Sequence, residues 1–217
     1  MDSGESESCK VVLLGESGVG KTSIITQFTE EIFTEDQQST TGATFSSKEV
    51  LCLNDTRKIK FEIWDTAGQE RYRALSKMFY KDAAAAILVY DITRKTSFDE
   101  IKNYWANEIK EHSPKKIVLA IAANKSDLYE IEQVDEKFGR ELAKDLGAIF
   151  YSTSAKNQSG INELFEAIAN KYCDDSWTAG KDAEEECGYR VFGRTCRVAH
   201  GKELYSGIWC AAGQTSH

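Results

Sequence analysis

The chain has 217 residues, 41% of them apolar and 11% aromatic, enough to bury one substantial core with appendages. Its formal charge of -8 and isoelectric point near 5.1 argue against a nucleic-acid partner, because binding that polymer relies on clustered Lys and Arg. No run reaches the roughly 18 apolar residues of a membrane span, and the six cysteines, with no C-x-x-C pair among them, read as free thiols of a reducing compartment.

The N-terminal MDSGESES is acidic and serine-rich, has no apolar core that would make it a secretory signal, and reads as a flexible extension over residues 1–8. VVLLG (Val11 to Gly15) is continuously apolar, as for a strand covered on both faces of a parallel sheet, and it breaks into ESGVGKT before a helix-like pattern. Gly15, Gly20, Lys21 and Thr22 fit G-x-x-x-x-G-K-[ST] in the strand-to-helix context that the motif requires. Ser17, Gly18, Val19, Gly20, Lys21, Thr22 and Ser23 are therefore the candidate phosphate cradle. Glycines let backbone N–H groups approach the phosphates, the helix N-terminus adds positive charge, Lys21 faces the β and γ oxygens, and Thr22 offers its hydroxyl to Mg²⁺.

A strand from near Thr44 to Leu53 turns at Asn54-Asp55 into RKIKFEIWD, where Ile59, Phe61 and Ile63 alternate with Lys58, Lys60 and Glu62, predicting one antiparallel edge pair. Asp65 ends the second strand beside the phosphate loop, placed to hold Mg²⁺. Just beyond it, Gly68 can bring its N–H to a γ-phosphate and Gln69 can orient an attacking water. AAAAILVYD (Ala83 to Asp91) and KIVLAIAANK (Lys116 to Lys125) are further buried strands, and Phe98, Ile101, Trp105 and Ile109 mark a core-facing helix between them. NKSD (Asn124 to Asp127) follows a strand's carboxyl end, where open α/β sheets bind ligands. An ionised Asp127 accepts both donors of guanine, N1–H and the 2-amino group, whereas adenine would meet it with a lone pair. STSAK (Ser152 to Lys156) ends the short strand IFYS with small residues that let the backbone near the base. Ile161, Leu164, Phe165 and Ile168 mark a last core-facing helix; after Cys173 the periodicity stops, so residues 174–217 are expected to form a flexible tail of low order.

GESGVGKT, WDTAGQERYRAL, LVYDIT, NKSD and TSAK, in this order and spacing, resemble the Ras-like small GTPases over Cys9 to Cys173. WDTAGQERYR, FYKDA and TGATF resemble the Rab branch, and within it the endosomal group. The resemblance implies a P-loop NTPase of small G-protein fold: α/β, with a mostly parallel six-stranded sheet, one antiparallel edge strand and helices on both faces. The G domain would span 9–173 and a hypervariable tail 174–217. It further implies a switch in vesicle trafficking that binds GTP or GDP with Mg²⁺ and hydrolyses GTP, slowly without an activating protein. Phe33 would stack on the edge of the guanine, while Asn124, Lys125, Ser154, Ala155 and Lys156 help to hold it. Thr40 would reach Mg²⁺ and the γ-phosphate only in the GTP state, making Thr22, Thr40 and Asp65 the metal set. Loss of the γ-phosphate would release Ile32 to Phe45 and Ala67 to Met78, the segments through which GTPase-activating, exchange-factor and effector proteins act. Cys210 is followed by AAGQTSH, so ordinary prenylation and stable membrane residence are not expected; a cytoplasmic monomer, at most peripheral on endomembranes, is. A rival reading is a GTP-binding interaction module that signals by occupancy with little turnover, against which the presence of the hydrolytic residues argues.

Overall fold

The continuously apolar runs become strands whose alternate side chains enter opposite cores. The computed structural model describes residues 7–35, 37–38, 40, 42–52, 57–66, 79–114, 116–186, 191–192 and 195–196. Strands β1 (Glu7–Leu14), β2 (Thr44–Leu51), β3 (Lys58–Asp65), β4 (Ala85–Asp91), β5 (Val118–Asn124) and β6 (Ile149–Ser152) form one sheet in the order β2-β3-β1-β4-β5-β6. Within this sheet β2 and β3 pair antiparallel, with Leu51 opposite Lys58, and the pairings β3-β1, β1-β4, β4-β5 and β5-β6 are parallel. The turn expected at Asn54-Asp55 lies outside the described residues.

Helix α1 (Lys21–Glu30) follows β1, and α2 (Lys95–Glu100) runs through a π-helical turn (Ile101–Trp105) into α3 (Ala106–His112). Beyond β5 come a 3₁₀ turn (Ser126–Ile131), α4 (Glu136–Leu146) and, after β6, α5 (Ile161–Glu186). On one face Val11, Leu13, Ile87, Val89, Ala120 and Ala122 pack with Ile24 and Phe28 of α1 and with Ile161, Leu164, Phe165 and Ile168 of α5. On the other, Val12, Leu14, Leu88, Tyr90, Ile121 and Ala123 pack with Phe98, Ile101, Trp105 and Ile109, and with Leu142 and Ala143 of α4. A parallel sheet clothed on both faces in this way needs apolar residues at consecutive positions, which is why β1, β4 and β5 do not alternate. Edge strand β2 is largely exposed, while β3 buries Ile59, Phe61 and Ile63 in turn.

The chain divides into two units, Met1–Cys173, which holds the sheet, and Asp174–His217. Within the second, the helix continues to Glu186, and β7 (Val191–Phe192) pairs antiparallel with β8 (Thr195–Cys196). The expectation of free thiols is corrected: Cys52, just past β2, is joined by a disulfide to Cys173 in α5, while Cys9 is a buried free thiol. The partners stand 121 positions apart, and only the packing of α5 across β1 and β3 brings them together, so no local spacing could reveal the pair.

Candidate nucleotide site

Four strand ends meet at one cleft of about 330 Å³. Leaving β1, the chain turns at Gly15 with φ 145°, where a Cβ would lie 2.2 Å from the Val89 carbonyl oxygen. It enters α1 through Gly20 in the left-handed region, φ 94°, where a Cβ would lie 2.4 Å from Asn124 Nδ2. These two positions admit glycine alone, and the loop between them curls its backbone around the first turn of α1. Lys21 folds back over that loop, its ammonium donating to the carbonyls of Gly15 at 2.8 Å and Glu16 at 3.0 Å. Burial lowers its pKa to about 8 from the usual value, against the opposing pull of Asp65, Glu100 and Glu16. A buried ammonium of this kind is held at a cost that an anion placed beside it would offset.

Beside it, the Thr22 hydroxyl donates to Asp65 Oδ2 at 2.5 Å and lies 2.8 Å from the Thr40 hydroxyl, which stands 3.3 Å from the same carboxylate oxygen. Asp65 is carried there by the parallel pairing of β3 with β1, which sets it opposite Leu13. Among the described residues its other oxygen, Oδ1, is buried with no hydrogen-bond partner, and burial raises the carboxyl's pKa despite the bond from Thr22, the charge of Lys21 and the bond from Thr40. Two hydroxyls and a desolvated carboxylate form an all-oxygen donor set that suits a hard cation such as Mg²⁺.

At the other end, Asn124 closes β5 and donates from Nδ2 to the Val19 carbonyl at 2.8 Å, fastening the loop after β5 to the loop between β1 and α1. Asp127 lines the cleft and accepts from the Ser154 hydroxyl at 2.5 Å. Ser154 itself is fully buried and Val19 is packed in the core, so these two support the cleft from behind. Ser17, Gly18, Gly20, Lys21, Thr22, Ser23, Phe33, Thr40, Asn124, Lys125, Asp127, Ala155 and Lys156 all line it directly. Gly68 and Gln69 lie outside the described residues.

Sequence reasoning assigned no role to Asp91, Arg94 or Glu35. Asp91, the last residue of β4 and almost wholly buried, pairs with Lys125 at 2.7 Å and with Arg94 at 3.4 Å, and accepts from the N–H and hydroxyl of Thr93. Burial works against its charge, but Lys125 and Thr93 outweigh that and hold its pKa below the usual carboxylate range. Arg94 in turn donates to the Ser17 carbonyl at 2.9 Å, so a charged chain Lys125–Asp91–Arg94 runs from the loop after β5 to the loop between β1 and α1. The one available signal was the position of Asp91 at a strand's carboxyl end, in LVYDIT. Glu35 reaches across the cleft mouth to Lys156 at 2.8 Å.

The Ras family profile matches residues 10–174. The chain is 49% identical over 162 residues to the mouse Ras-related protein Rab-31, covering 75% of this chain and 82% of that protein. It is likewise 49% identical over 162 residues to the human Ras-related protein Rab-22A, with the same shares covered.

Proposed function

From the premise that this chain belongs to the Ras family, in its Rab branch, we infer how the cleft carries out the family's chemistry. The protein is a small GTPase that binds GTP and GDP with Mg²⁺, hydrolyses GTP to GDP and phosphate, and acts as a switch in vesicle trafficking. In our reading the phosphates lie along Ser17 to Ser23, with Lys21 turning from the Gly15 and Glu16 carbonyls toward the β and γ oxygens. Thr22, Thr40 and Asp65 hold Mg²⁺, which when bound screens the charge of the phosphate oxygens. Asp127 reads the guanine edge; Asn124, Lys125, Ser154, Ala155 and Lys156 position its loop, and Phe33 covers the base. Gly68 meets the γ-phosphate and Gln69 orients the attacking water.

The observation that carries this reading is the meeting of the Thr22, Thr40 and Asp65 oxygens beside Lys21, in the cleft that Asp127 lines. It also supplies the switch: Thr40 sits in this cluster, so a γ-phosphate sensed there orders the segment that carries it. Activating, exchange-factor and effector proteins then read the two switch segments. We assign the G domain to residues 9–173 and a variable tail to 174–217, and read the protein as a monomer, cytoplasmic and at most peripheral on endomembranes. The occupancy-only alternative is not favoured, since turnover is a property of the family.

Two substitutions test the assignment. Asp127→Asn should shift preference from GTP toward xanthosine triphosphate, whose 2-oxo group accepts from the amide; unchanged GTP affinity in a competition titration would remove Asp127 from the base pocket. Gln69→Leu should retain nucleotide and slow single-turnover hydrolysis.

A further inference from the structure

Among the described residues, the wall of the cleft formed by Phe33, Thr34, Glu35, Gln37, Gln38 and Thr40 makes polar ties to the rest of the protein at two places, besides the packing of Phe33 against the core. Thr40 bonds to Thr22 and Asp65 at the phosphate end. Glu35 bonds to Lys156, which lies 121 positions away on the opposite wall, at 2.8 Å. Lys156 stands at the base end: it senses the charge of Asp127, and its backbone follows the buried Ala155 in a loop closed by Ser154 N–H donating to the Ser159 carbonyl at 2.9 Å. The two ties differ in kind. The Thr40 tie is part of the cation site and depends on the phosphate state, whereas no atom of the Glu35–Lys156 pair belongs to that site.

We propose that the Glu35–Lys156 ion pair is a latch across the base end of the cleft that slows the escape of a guanine nucleotide while the segment that carries Thr40 is ordered, that is, of GTP more than of GDP. The latch rests on the reading of the cleft as the nucleotide site. Its side chains are 73% and 55% exposed, so the pair contributes little to folding and is screened by salt. Its leverage comes from place: a base leaving between the Phe33 wall and the Ala155 loop must pass the line that the pair closes. Thr40 therefore orders this wall in the GTP state, and Glu35 then fastens it at the base end. Glu35 and Lys156 hold each other's charge, the hydrogen bond between them lowering the pKa of the acid and raising that of the amine.

The test is the release of fluorescent GDP and of a non-hydrolysable fluorescent GTP analogue from the full chain, for the wild type, Glu35→Gln, Lys156→Gln and the double variant. Glu35→Gln should speed release of the GTP analogue about two- to fivefold in low salt and that of GDP by less, and the difference from the wild type should close in roughly 1 M salt. In the Lys156→Gln background the second substitution should add nothing. Release of the GTP analogue unchanged by Glu35→Gln, or quickened equally with Lys156 absent, overturns the latch and leaves the nucleotide reading standing. Failure of the wild type to retain any guanine nucleotide removes that reading and the latch with it.

Discussion

At the carboxyl ends of β1, β3, β4 and β5 the protein gathers buried charges whose pairing is incomplete; at the opposite end of β1, β2 and β3 it ties the sheet to α5. The upper end holds Lys21, whose ammonium among the described residues bonds to carbonyls alone, and Asp65, one oxygen of which has no partner among them. The lower end has the Cys52–Cys173 disulfide, Arg57 Nη2 donating to the Cys173 carbonyl at 3.0 Å, and the Tyr172 hydroxyl donating to Glu7 at 3.0 Å. Folding alone does not favour the upper arrangement. Moving the Lys21 pKa from 10.5 to about 8 corresponds to about 3 kcal/mol against the charged form. The contrast teaches that binding strength is stored where the free protein is least satisfied, and that the far end of the sheet compensates.

The largest effect that tests this contrast is on Lys21. Lys21→Met should weaken GDP and GTP binding by roughly 10²–10⁴-fold, the range for removing one partner of a desolvated charge pair. In the nucleotide-free protein it should raise stability by about 2 kcal/mol, since a buried ammonium is replaced by an apolar chain of similar length. Isothermal titration and urea denaturation of the nucleotide-free variant read the two signs; a loss of stability would show that the upper end is not under strain.

The opposite sign is expected below. Cys52→Ala, which opens a loop of 121 positions, should cost roughly 2–4 kcal/mol of stability and leave nucleotide affinity unchanged. Reductant acting on the wild type should reproduce the loss of denaturation midpoint, and reductant should have no effect on the variant.

Asp91 tests whether the upper end is one unit or two. Asp91→Asn removes the charge between Lys125 and Arg94 without changing side-chain size. It should cost about 2 kcal/mol of GDP binding, the scale of hydrogen bonds to charged groups, or nearly 30-fold in affinity. The loss should be shared by GDP and GTP, because the bridge links the base-side loop to Ser17 and not to the cation site. A loss confined to GTP would place Asp91 with Thr40 instead.

How much of this was readable beforehand follows the range of the interactions. The phosphate loop, Asp65 and NKSD stand at the ends of short apolar runs, so the residues before them already say that a strand delivers them to a sheet's carboxyl edge. The alternation Ile59, Phe61, Ile63 likewise announced a half-exposed strand, and β3 buries those three. Glu35 and Asp91 escaped because an acid in a polar loop or at a strand end has many uses, and only the fold shows which cation it meets. The disulfide escaped for a related reason: Cys52 and Cys173 belong to elements that touch only after β1 and β3 have assembled under α5.

The smallest effect probes the lower end by a single hydroxyl. Tyr172 is half-buried beside Cys173, and its hydroxyl donates to Glu7, which Arg57 also approaches at 3.7 Å. Tyr172→Phe keeps the ring in place and removes one partly solvated hydrogen bond, so it should lower stability by about 0.5 kcal/mol. Because Arg57 remains beside Glu7 and still donates to the Cys173 carbonyl, the carboxylate is not stranded and the cost stays small. Combined with Cys52→Ala the two losses should not add, since both substitutions loosen the same stretch of α5 against β1 and β3. Denaturation midpoints of the single and double variants measure that coupling, and GDP release from Tyr172→Phe should match the wild type. Altered release would mean that the lower end reaches the cleft through β1, and the division of labour between the two ends of the sheet would fail.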